Sequence, residues 1–340
     1  MIDSNKAAEF AYRQGLYLDE SPNALQLITK LVGIQSQTKN LLAFSARARN
    51  VEVDSNTLNK MFTNKLLERI WTVRGTMHTI NSNDWSLFQK AFDTEWENRW
   101  SKFIYKHITS EQKEMLEKWI MNKVSNGPIT RNRLMEEAIS SFGDLSWVRY
   151  AFSSWGGLLK SLCYQNYLCF NPDGEKNEFV LRKDVGMYQQ LKLSADDALF
   201  ELFKRYINLY SPANYKDFVH WSGTTVKRLK QILNKKSIHL PNTKIPNTIT
   251  QINILPRFDP YLLAHKDKFY IQHEHYPYVF KQAGNIEAVI LKDGIVIGTW
   301  KQEKGLLKEN KLFTCYEEDS LEAKIEEEFI RMKLINRSKN

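Results

Sequence analysis

The run Arg69-Ile70-Trp71-Thr72-Val73-Arg74-Gly75-Thr76-Met77-His78-Thr79-Ile80 changes the period of the chain. On either side of Arg74-Gly75 apolar and polar residues alternate, as in two short strands meeting at a turn. Upstream the period is helical. Lys6 to Tyr17, Pro22 to Gln35, Leu41 to Arg49 and Thr57 to Leu67 carry apolar residues three and four apart, such as Leu25, Ile28, Leu31 and Val32. Ser21 before Pro22 reads as an N-cap with proline opening the helix. Helices followed by a short hairpin form the winged-helix pattern.

The pattern recurs downstream as architecture. A helix opening at Pro128-Ile129-Thr130 and another from about Trp155 to Gln165 precede strands at Tyr167 to Phe170 and Glu178 to Arg182, with Asn171-Pro172-Asp173-Gly174 as the turn. A third pass begins at Ser211-Pro212, with helices near Ala213 to Trp221 and Thr224 to Leu233. Strands then dominate: Glu287 to Leu291 and Ile295 to Trp300 flank Asp293-Gly294, a hairpin signal. Leu321 to Met332 closes as a helix. The expected fold is α/β (α+β), with tandem winged-helix modules at 1–110, 111–190 and 191–340, the last β-rich, around a concave basic channel.

Composition narrows the function. The chain has 340 residues, with 48 Lys and Arg against 39 Asp and Glu, a net charge of +9. An excess of that size favours a polyanionic partner, nucleic acid or an anionic surface. Its spread along the chain points to a folded basic face. Aromatic residues make up 12%, which excludes a disordered chain. No apolar run approaches the ~20 residues of a membrane span, and the start lacks the pattern of a secretory signal. Three cysteines do not make a disulfide framework, and Cys163 and Cys169 lack zinc-ligand spacing. The expectation is a cytoplasmic protein without metal or organic cofactor.

The phosphate-loop, dinucleotide and Gly-x-Ser-x-Gly fingerprints are missing. His273-Glu274-His275 places histidines two apart, not the four of a helical metal motif, and has no third partner in sight. Gly33-Ile34-Gln35-Ser36-Gln37 is more informative. Glutamines two apart point some 200° apart on a helix, so both reach one site only where the helix ends. Gly33 is suited to such an end. Taken alone, the pair also fits ordinary polar surface.

In order along the chain come Gln35-x-Gln37, the helix ending Ala46-Arg47-Ala48-Arg49, Arg74-Gly75-Thr76-x-His78 with Asp84, Trp221-Ser222-Gly223, Leu255-Pro256-Arg257-Phe258-Asp259-Pro260-Tyr261-Leu262-Leu263, and Asp293-Gly294 through Gly298-Thr299-Trp300. This series resembles the AlkZ-type DNA glycosylases, a winged-helix family that also includes the YcaQ-like proteins. The resemblance covers most of the chain. Ser36 departs from it, standing where the middle residue of the glutamine motif is usually aliphatic.

The resemblance implies a monofunctional DNA glycosylase. It would hydrolyse the N-glycosidic bond of cationic N7-alkylated purines, crosslinked ones included, in double-stranded DNA, as a monomer without membrane contact. It implies Gln35 and Gln37 as the catalytic pair, one aiming the water and one facing the cationic sugar. Arg47, Arg49, Arg74, Thr76, His78, Lys227, Arg228 and Lys230 become candidate DNA contacts. Each has a structural alternative: Arg74 bound to a carboxylate, His78 satisfying a buried backbone group, Lys227 to Lys230 as a solvated helix face. Asp259 reads as a cap in a buried turn. The competing functions are a winged-helix regulator without catalysis and an inactive family member, the latter suggested by Ser36.

Overall fold

The computed structural model describes residues 2–17, 22–36, 39–96, 101–153, 157–174, 177–186, 190–237, 251–313 and 319–335. Its strands are β1 (Ile34–Gln35), β2 (Leu67–Trp71), β3 (Met77–Asn81), β4 (Ile129–Thr130), β5 (Leu168–Phe170), β6 (Glu178–Leu181), β7 (Ile252–Leu255), β8 (Ala288–Lys292), β9 (Ile295–Glu303) and β10 (Leu306–Leu312). The chain divides into two compact units. A split unit joins Met1–Ser55 to Phe203–Asn340, and an inserted unit spans Asn56–Leu202. No helix among the described residues is long and apolar enough to cross a membrane.

The inserted unit holds the β2–β3 hairpin, paired from Leu67↔Asn81 to Trp71↔Met77. The expected strands are therefore present, with the first beginning two residues earlier. A winged-helix arrangement follows. Helices Ser110–Ser125, Arg131–Phe142 and Gly157–Tyr164 pack on a sheet of order β4-β6-β5. Thr109 and Gln112 cap the first helix reciprocally. Thr130 caps the second, and Leu116, Ile120 and Val124 place its predecessor's apolar stripe in the core. Trp71 of the hairpin lies 4.9 Å from Phe170 and stacks on Phe179.

In the split unit the antiparallel sheet β10-β9-β8-β7 carries the core. β7 is buried along its length and β8 nearly so, and Leu321, Ile325 and Phe329 of helix Asp319–Arg331 are buried. β10 has no counterpart among the expected strands. Four of its seven residues are polar and five are exposed, with none buried, so it forms by pairing with β9 without the apolar alternation that would announce it. Trp300 on β9 is buried between Phe44 and Phe329, and its indole N–H donates to the Leu255 carbonyl at 2.9 Å. Helices Tyr215–Ser222 and Val226–Leu233 form as expected, the first ending at Gly223 in the left-handed region.

The second helix starts differently from its expected Ser21-Pro22 cap. Asn23 is the N-cap, its side chain accepting from Gln26 N–H while the Gln26 side chain accepts from Asn23 N–H. That reciprocal box satisfies two end groups at once, so the helix begins at Ala24. Ser21 lies outside the described residues.

The Asp293-Gly294 turn joins β8 to β9 with both residues at positive φ, 52° and 80°. A Cβ on Gly294 would stand 2.4 Å from the Ala7 carbonyl oxygen. Gly294→Ala should therefore destabilise the protein by about 1–3 kcal/mol through overpacking alone, measured as a lower urea midpoint with an unchanged slope.

Candidate active site

Gln35 follows a helix end of unusual form. Helix Ala24–Lys30 stops as Val32 N–H donates to the Thr29 carbonyl and Gly33 N–H to the Ile28 carbonyl, the paired bonds of a Schellman end. Val32 and Gly33 have φ of 56° and 81°. A β-branched residue in that region costs on the order of 1–3 kcal/mol and persists where its surroundings hold it. Tyr210 supplies part of that hold, its hydroxyl donating to the Leu31 carbonyl at 3.0 Å. The two residues turn the chain out of the helix into β1, where Gln35 is 6% exposed, and Ser36 beyond it is fully buried. The helix end that Gly33 suggested is therefore present. Gln37 lies outside the described residues.

The motifs of the split unit converge on one buried network. Arg49 and Asp259, neither exposed, form a two-pronged ion pair at 2.9 and 2.8 Å. Arg49 also donates to the Gln14 and Ser45 carbonyls. Asp259 caps the turn Pro260–Leu263 by accepting from Tyr261 N–H. The Tyr261 hydroxyl donates at 2.5 Å to the carbonyl of Gly294, and its ring stacks on Phe10. The cap expected of Asp259 is thus observed. Arg49, a candidate DNA contact from sequence, is buried and donates four hydrogen bonds within this network. Arg47 is half-buried, donates to the Met332 carbonyl and packs over Phe44.

In the inserted unit the β2–β3 turn has Arg74 and Gly75 at φ of 54° and 68°. Thr72 and Thr76 close it through Thr72 N–H to the Thr76 carbonyl, and the Thr76 hydroxyl donates to the Val73 carbonyl. Arg74 is half-exposed there. His78 is 3% exposed, with Nδ1 3.2 Å from the Thr76 carbonyl, so the tautomer that donates carries its proton on Nδ1. Burial, then the Arg74 charge, pushes its pKa down to about 3. A neutral, buried imidazole beside the Thr76 carbonyl matches the backbone-satisfying alternative to the expected DNA contact.

One residue near this turn was not singled out from sequence. Lys160 is 3% exposed, and its ammonium donates at 2.6 Å to the Gly75 carbonyl. Burial pushes its pKa down to about 8. The signal was there to read: a lone lysine in Gly157-Leu158-Leu159-Lys160-Ser161-Leu162, the buried and mostly apolar part of a helix. Beside the hairpin, Glu68 and Arg182 form a second buried ion pair. The cavity they share with Trp71 and Phe170 is about 30 Å³, room for a single water and not for a base.

Lys227 and Lys230 are exposed and Arg228 partly so on helix Val226–Leu233, while Leu229 and Ile232 face the core. A cationic solvent face of this kind fits phosphate contact. His273–His275 is a 3₁₀ turn in which His275 is buried against Phe313, and no cluster of three potential metal ligands occurs among the described residues.

Comparison with known proteins agrees with these features. The family described as "DNA glycosylase AlkZ-like" matches residues 28–333. The chain is 25% identical over 316 residues to the interstrand DNA cross-link repair glycosylase of Streptomyces sahachiroi, covering 85% of each chain. It shares its fold with the solved DNA glycosylase AlkZ of Streptomyces sahachiroi, at a TM-score of 0.76 and 23% identity over 98% of this chain and 97% of that one. The chain belongs to the AlkZ-like family of DNA glycosylases.

Proposed function

We propose that this protein hydrolyses the N-glycosidic bond of N7-alkylated purines in duplex DNA, crosslinked ones included, with Gln35 and Gln37 as the catalytic pair. The observation that carries the reading is Gln35 itself. It sits buried on β1 directly after the Val32-Gly33 turn, inside the segment matched to the family.

An N7-alkylated purine already carries positive charge and leaves with little protonation. The site has to hold a water and tolerate an oxocarbenium-like sugar. Neutral amides meet both needs. The Gln37 carbonyl oxygen accepts a hydrogen bond from the water and aims it, while the Gln35 amide dipole faces the developing cation. Neither amide is a strong base, so uncharged lesions are poor substrates. The reaction stops at the abasic site. Lys160, the lysine whose pKa is pushed down to about 8, holds the Gly75 carbonyl and is not exposed to attack a sugar. Arg74 and the Lys227–Lys230 face bind phosphates.

The test uses purified protein and an oligonucleotide duplex bearing one N7-methylguanine. Wild type should release the base and leave the strand uncut until alkali is added. Gln35→Ala and Gln37→Ala should each slow release by about 10²-fold or more. No release by wild type, together with tight sequence-specific duplex binding, would establish the regulator instead.

A further inference from the structure

The split unit presents two aromatic rings to solvent at its surface. Tyr276 and Tyr278 are 41% and 51% exposed. They leave the His273–His275 turn on the short helix Tyr276–Val279, whose Val279 is fully buried. The rings are held from beneath. Tyr276 stacks on Phe280 at 4.5 Å between centroids, and Tyr278 lies 5.8 Å from Phe313, itself buried and stacked on His275. Their faces are thus fixed in place while open to water.

Two exposed ammonium groups flank the Tyr278 ring, Lys281 at 5.8 Å and Lys311 at 5.6 Å. They arrive from different elements, Lys311 from β10. Lys281 donates to the Pro277 carbonyl at 2.8 Å. Among the described residues neither lysine has a carboxylate oxygen within 4 Å; the nearby Glu309, which Lys311 helps hold ionised, pairs with Lys301. Fixed aromatic faces bracketed by cations suit a ligand that is anionic and carries flat or apolar groups between its charges. A nucleic-acid strand has that chemistry: its phosphates take the ammoniums and a sugar or base packs on the ring.

We propose that Tyr276, Tyr278, Lys281 and Lys311 form a second DNA contact, separate from Gln35 and Gln37, which grips the strand flanking the lesion. That the nucleic acid is DNA rests on the function proposed above. The surface also gives a use to the His273-Glu274-His275 run, as the turn that presents the tyrosines.

Fluorescence anisotropy with a labelled, undamaged duplex at 50 to 200 mM salt tests it. Lys281→Ala/Lys311→Ala should flatten the plot of log affinity against log salt by about 2, since each lost phosphate contact removes about 0.9. Tyr278→Ala should weaken binding about fivefold or more with the slope kept, and Tyr278→Phe should retain most of the affinity. Thermal melting of all variants should match wild type because the positions are exposed. An unchanged slope and affinity in the double variant overturns the proposal, even if wild type releases N7-methylguanine. A flattened slope upholds the contact, even if no base is released.

Discussion

Asp259→Ala is expected to destabilise the split unit by about 3–5 kcal/mol, the cost of leaving a buried charge without its partner. Arg49 would keep its bonds to the Gln14 and Ser45 carbonyls and lose both carboxylate oxygens. The turn at Pro260–Leu263 would lose its cap as well. For a unit of this size the loss corresponds to roughly 6–20 °C in melting temperature, readable by calorimetry. The pair itself need not be strongly stabilising, because well-packed apolar replacements of buried pairs are often neutral. Arg49→Met/Asp259→Leu should therefore melt above Asp259→Ala. An Asp259→Ala protein that melts like wild type would show that the buried Arg49 charge does not need its partner.

Acid should unfold the protein through His78. Its pKa is pushed down to about 3 in the folded state, by burial first and by Arg74 second, against about 6.5 when unfolded. The unfolded chain therefore takes up the proton first. Stability from this residue is complete above pH 6.5 and falls as the pH drops from 6.5 towards 3. At pH 4 the loss from His78 alone amounts to about 3 kcal/mol. His265, pushed down to about 4 mainly by burial, adds a loss of the same sign. Urea titrations at pH 7 and pH 4 measure it. His78→Gln should be less stable than wild type at pH 7 and should lose less on acidification. Equal losses in the two proteins would locate the acid sensitivity elsewhere.

Local signals were legible where one residue type has one conformational use. Arg74-Gly75 and Asp293-Gly294 announced turns, and all four residues have positive φ. Gly33 announced a helix end, and the chain turns there. Gln35 stands out in the sequence only through motif order, since nothing in its own chemistry separates it from surface glutamine; its burial on β1 was not legible. The roles of the arginines were not legible. Arg47, Arg49 and Arg74 look alike in sequence, and which is buried depends on a carboxylate 210 residues from Arg49. The charge of His78 was not legible for the same reason: burial sets it, and burial is a tertiary property. The two-unit division was hidden too, because Arg49–Asp259 and Tyr210–Leu31 tie the first segment to the last across an intervening unit.

The split unit also sets a schedule for the ribosome. When Arg49 emerges, its carboxylate partner is still 210 residues from synthesis, a wait of about 10–40 s at ordinary translation rates. The inserted unit is complete before then and can fold first. The segment bearing Gln35 waits with an unpaired guanidinium and the apolar face of Phe10 uncovered, since Tyr261 is made later still. A nascent chain stalled before Asp259 therefore lacks the Arg49–Asp259 pair, and chaperone dependence should concentrate on the first 55 residues.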